Sequence, residues 1–111
     1  MASREIRDLS PATQVLWNKF HDRCRRDTEL LKGGYSVLLS CTYRPRDEQE
    51  RLRLNPKAKI SARGVNGKPS SSGFEIVVTQ YCRPISHPVP AIIDHATNLG
   101  LSQPELYYYE V

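Results

Sequence analysis

The amino-acid sequence predicts one small α+β domain. A capped amphipathic segment opens the chain, two β-rich apolar runs follow at wide spacing, and a second short amphipathic segment precedes an aromatic, strand-prone ending. The expected architecture is a small sheet with an N-terminal helix and one or two short helices packed on it, covering residues 1–111 as a single domain. With 111 residues the chain fits a typical domain of roughly 100–150 residues and has room for one core.

The first segment, Ser10–Leu31, reads as a helix because Ser10 suits the N-cap and Pro11 the first turn. Ala12, Leu16, Phe20 and Cys24 recur every four residues, Val15 and Trp17 widen the stripe, and Gly33-Gly34 stops it. On the other face Lys19, Asp22, Arg23, Arg25, Arg26 and Glu29 form a solvated surface, and His21 is expected there too. Tyr35–Cys41 is a short, nearly continuous apolar run and reads as a central strand. Asp47–Leu54 reads as a helix ended by Asn55-Pro56, and Lys57–Gly73 as a long surface loop rich in Lys, Arg, Ser, Gly and Pro. Phe74–Thr79 is the second strand and Gln80–Pro88 a turn region broken by Pro84 and Pro88. Pro90–Leu99 places Ile92, Ile93, Ala96 and Leu99 on one helix face before Gly100. Glu105–Val111 favours a strand, with Tyr107–Tyr109 expected in the core ahead of an interface role.

Composition narrows the function classes. Of the 16 basic residues 11 are Arg, against 12 acidic ones, for a net charge of +4. That balance favours anionic partners without choosing between nucleic acid and an anionic cell envelope. The aromatics do not interleave with basic residues as in single-strand binders, so nucleic acid ranks below a protein or peptide partner. Cys24, Cys41 and Cys82 are odd in number and widely spaced, which argues for three buried free thiols and a reducing, cytoplasmic site of synthesis. The apolar runs fall far short of the ~18–20 residues a membrane span requires, and Met1–Asp8 alternates charges without leading into a signal-peptide core. No serine sits in a Gly-x-Ser-x-Gly elbow, and Arg63–Gly73 lacks phosphate-loop spacing.

One constellation carries chemistry. Asp8-Leu9-Ser10-Pro11 precedes the capped helix, the first strand ends in Ser40-Cys41-Thr42-Tyr43-Arg44, and Gln49 lies five residues after the arginine. This order, over roughly Arg4 to Leu54, resembles the zinc-dependent D-alanyl-D-alanine carboxypeptidase and phage L-alanyl-D-glutamate endolysin family. The resemblance implies Ser40, Tyr43, Arg44 and Gln49 as cleft residues contacting the peptidoglycan stem peptide. Arg44 would hold a substrate carboxylate, a task suited to the planar five-donor guanidinium.

In that family zinc is held by a histidine and an aspartate around a central strand and by a histidine near the chain end, beside a catalytic acid. Aligning Gly67–Val78 on that strand puts Glu75 at the aspartate position, leaves no imidazole near Val65-Asn66, and leaves none in Leu106–Val111. A second register pairs His87 with Asp94 seven residues later at the family's ligand spacing, on what reads as a helix. The metal candidates are therefore Glu75, His87 and Asp94. The resemblance implies a phage or prophage peptidase scaffold with zinc possible but ligands missing, and weak or no hydrolysis. The alternative is a non-enzymatic mobile-element inhibitor that binds a host protein or nucleic acid.

Overall fold

The computed structural model describes residues 4–42 and 72–111. The expected Asp47–Leu54 helix and nearly all of the Lys57–Gly73 loop lie outside the described residues, as do Tyr43, Arg44 and Gln49. What is described is an α+β fold: helices on one face of an antiparallel sheet, as the sequence predicts.

Helix α1 spans Pro11–Arg26, and the Ser10 hydroxyl accepts from the Thr13 N–H at 3.2 Å, closing its N-terminus as expected. Its buried line is Thr13, Trp17, Phe20 and Cys24, whereas Val15 is 51% exposed and Ala12 is also exposed. The expected Ala12-Leu16-Phe20-Cys24 stripe is thus corrected. A strict four-residue step overshoots a 3.6-residue turn by about 40° each time, so it winds off a flat sheet, while steps of four, three and four hold one direction.

The single helix expected to reach Leu31 breaks at Asp27, which leaves helical geometry (φ −74°, ψ 112°) and caps a second helix, α2, Thr28–Lys32. Its carboxylate accepts from Glu29 N–H at 2.9 Å and Leu30 N–H at 3.3 Å. Aspartate competes for backbone donors in this way, so it starts a helix more readily than it continues one. Arg25 and Arg26 both reach Asp22, at 3.1 and 3.2 Å, in the last turn of α1 where cations suit the helix dipole.

Strand β1, Tyr35–Cys41, pairs antiparallel with β2, Gly73–Gln80, in a register that sets Val37 against Val78 and Leu39 against Ile76. Contrary to the expected central position, β1 is the terminal strand of the described sheet, whose order is β1-β2-β5-β4. The expected Gln80–Pro88 turn shrinks to Tyr81-Cys82, and Arg83–Ile85 forms strand β3 back along β2. Pro84 is tolerated because β3 is a short edge strand that needs no further ladder bond. Helix α3, Pro90–Asn98, buries Ile92 and Ala96. The expected C-terminal strand is two strands, β4 (Ser102–Glu105) and β5 (Tyr108–Glu110), reversed at Leu106-Tyr107 with Tyr107 at φ 63°.

The core lies between the helices and one sheet face. Phe20, Phe74, Val78, Ile92 and Tyr109 are fully enclosed, and Trp17, Phe20, Phe74 and Tyr109 form an aromatic cluster with ring centroids 5.3–6.4 Å apart. Three aromatic residues of the tail are buried, as expected: Tyr107, Tyr108 and Tyr109. Of the thiols, Cys24 and Cys41 are buried but Cys82 is exposed at the hairpin tip, which corrects that expectation.

Candidate functional site on the outer sheet face

Side chains alternate across a strand, so Glu75, between inward-facing Phe74 and Ile76, belongs to the sheet face away from the helices. The strand pairings extend this position into a row. Cys41 stands opposite Glu75, Glu75 opposite Tyr108, and Tyr108 opposite Glu105, so four strands contribute one residue each. A bulge makes the first pairing possible. The register shifts between Leu39 and Cys41, so the extra residue, Ser40, turns the strand end and brings Cys41 onto the Glu75 face.

Tyr108 is the centre of the row. Its ring lies over Gly73, where a Cβ would come within 2.9 Å of the phenol oxygen, and its hydroxyl donates to Glu110 Oε2 at 2.8 Å. Cys41 and Tyr108 pack together as a small buried pair separate from the main core. Thr42, fully buried, donates from its hydroxyl to the Glu5 carbonyl at 2.8 Å and fixes the chain where it leaves β1 towards residue 43. Of the residues named from the sequence, Glu75 lies in this row and Ser40 on its bulge; Cys41, Tyr108, Glu105 and Glu110 join it through strand pairing, which leaves no local spacing signal in the sequence.

The histidines lie on other elements. His21, expected to be solvated, is half-buried and stacks on Trp17 with ring centroids 5.1 Å apart and planes 21° from parallel. His95 binds the Asp27 carboxylate through Nε2 at 2.8 Å, tying α3 to the α1–α2 junction. His87 is exposed before α3, and its carbonyl accepts the Tyr107 hydroxyl at 2.7 Å; Asp94 is exposed on α3. Among the described residues no group of three or more His, Cys, Asp or Glu is placed to hold a metal ion. A row of thiol, carboxylate, phenol and carboxylate does not match a set of two imidazoles and a carboxylate.

Two titratable groups have clear environments. Burial, helped by the charge of Asp27, pushes the Cys24 thiol up to about 12, which keeps it protonated and unreactive at neutral pH. The hydrogen bond from His95, followed by those from the Leu30 and Glu29 amides, holds the Asp27 carboxyl below the ordinary carboxylate range despite partial desolvation. A lowered folded-state value means that its stabilisation is full above the unfolded value of about 3.8 and is lost as pH falls through the folded value. Stability measured by urea titration is therefore expected to fall with acid below about pH 4, with a shallower fall in Asp27→Asn, which retains a capping oxygen but cannot titrate. An identical acid slope in the two proteins would remove Asp27 from this role.

No helix among the described residues is long and apolar enough to cross a membrane. Compared with known proteins, the chain matches no family model, no curated protein and no solved structure.

Proposed function

We propose that this chain is a phage or prophage protein built on a peptidoglycan-peptidase scaffold, able to engage a stem peptide and weak or inactive in hydrolysis. The observation that supports this reading is the pairing of Cys41 with Glu75. It brings the strand end that leads into Tyr43-Arg44 beside the only family metal position retained on β2. The two halves of the resemblance, separated by more than thirty residues of sequence, thereby meet at one end of the sheet.

In this reading Arg44 binds a stem-peptide carboxylate, with Tyr43 and Gln49 as the further substrate contacts the resemblance implies, and Ser40 occupies the β1 bulge two residues before Thr42. When bound, zinc in that family would lower the pKa of its water to about 7. Among the described residues no three His, Cys, Asp or Glu side chains converge as such a site requires, so no hydrolytic step is assigned.

The test combines elemental analysis, digestion of Gram-negative peptidoglycan, and calorimetric titration with a stem tetrapeptide. Expected are substoichiometric zinc, no released stem fragments, and tetrapeptide binding that weakens at least tenfold in Arg44→Ala, the loss of about one charged hydrogen-bonded contact. Stoichiometric zinc with released fragments would overturn the inactive assignment. Unchanged binding in Arg44→Ala would remove the clamp and with it the scaffold reading.

A further inference from the structure

We propose that the outer edge of β1 and the cavity beside it form a docking site for an extended acidic-apolar peptide segment of another protein, which joins the sheet as an added strand. The proposal does not depend on the peptidase reading.

Three described strands present an edge: β1, β3 and β4. Two are blunted in the ways that suppress strand addition. β3 is only three residues long and carries Arg83 and Pro84, and β4 carries Pro104 and Glu105 and has an irregular register. β1 differs. From Tyr35 to Leu39 it is regular, has neither charge nor proline, and is not paired on its outer side by any described strand. Alternate residues there direct N–H and C=O groups outward, a template that an incoming strand can complete.

Beside this edge lies a cavity of about 200 Å³, lined by Leu30 and Leu31 of α2, by His21, Cys24 and Arg25 of α1, and by β1 itself. Leu31, 58% exposed, adds a large apolar group to the lining on the α2 side, and Leu38, 52% exposed, adds another on the outer face of β1. The volume suits one or two apolar side chains. Backbone pairing would supply affinity and the cavity would supply side-chain selectivity.

Charge specifies the occupant. Among the described residues the lining contains Arg25 and His21 and no carboxylate. Asp22 is shared by Arg25 and Arg26, which leaves this cluster of three net positive. A segment pairing an apolar anchor with a Glu or Asp beside it complements this rim, whereas a second copy of this chain would bring its own Arg25 cluster and a net charge of +4.

The probe is an acetylated, amidated eight-residue peptide alternating Val or Leu with Glu or Thr, added to the full chain and followed by NMR. Expected are slowed amide exchange at alternate residues of Tyr35–Leu39 and at least tenfold weaker binding when its Glu residues are replaced by Lys. Arg25→Glu should reverse that charge preference. Of two peptides N-methylated on opposite sets of alternate amides, one should bind and the other should not, since an added strand uses one edge only. Equal binding by both, or none at about 1 mM, would overturn the proposal. So would sedimentation showing a dimer that the peptide does not dissociate, which would make a second copy the occupant.

Discussion

Phe74→Ala is expected to cost about 3–5 kcal/mol, the range for removing a large aromatic from a closed core. Phe74 is fully buried, meets Trp17 edge-on with centroids 5.5 Å apart, and touches Phe20 and Tyr109 within 6.4 Å. It also joins the two layers, since its ring lies under α1 while its backbone pairs β2 with β5. No neighbour can fill the void without leaving its own contacts, so the cavity stays and the full cost is felt. Against a total of about 5–15 kcal/mol for a small domain, the urea midpoint should fall by a large fraction or the variant should fail to fold. Tyr109→Phe is the control. Its hydroxyl is buried without a partner among the described residues, and burial pushes its pKa far above the ordinary value, so deleting the oxygen should be neutral or stabilising by about 1 kcal/mol. A loss greater than that would show that the hydroxyl is satisfied.

This contrast separates what the sequence makes legible from what it does not. Strand β1 is visible because Tyr35–Cys41 is a nearly continuous apolar run after paired glycines, and α3 because Pro90 and Gly100 bound a periodic segment. The break at Asp27 is hidden: apolar periodicity continues through Leu30 and Leu31, and only the carboxylate's competition for the Glu29 and Leu30 amides stops α1. The hairpin at Tyr81-Cys82 is hidden for a related reason. Both residues take positive φ, 49° and 67°, in a two-residue turn that usually shows itself by Asn and Gly. For the candidate site, Glu75 is reachable from a motif, but the row it belongs to is set by registers between β1, β2, β5 and β4. Such pairings follow from packing of the opposite face, where Val37, Ile76, Val78 and Tyr109 choose the alignment and the outer residues are carried along.

Gly34→Ala should be the most damaging change at any described turn, at about 1–2 kcal/mol from backbone conformation alone. Gly34 sits at φ 77°, where an L side chain crowds its own carbonyl, and an added Cβ would overlap the Tyr81 ring. The contact is two-sided, since the Tyr81 amide donates to the Gly34 carbonyl at 2.9 Å and Gln80 Nε2 donates to the Gly33 carbonyl at 3.1 Å. The α2–β1 turn and the β2–β3 hairpin therefore close against each other, and displacing the ring strains both. The two causes can be separated with Tyr81→Gly, which removes the ring and relieves the positive φ at position 81. Added to Gly34→Ala, it should recover the steric share of the loss and leave the backbone share, a non-additivity readable in a double-mutant cycle by urea unfolding. Strict additivity of the two changes would mean that the ring does not rest on Gly34, and that the two turns are independent.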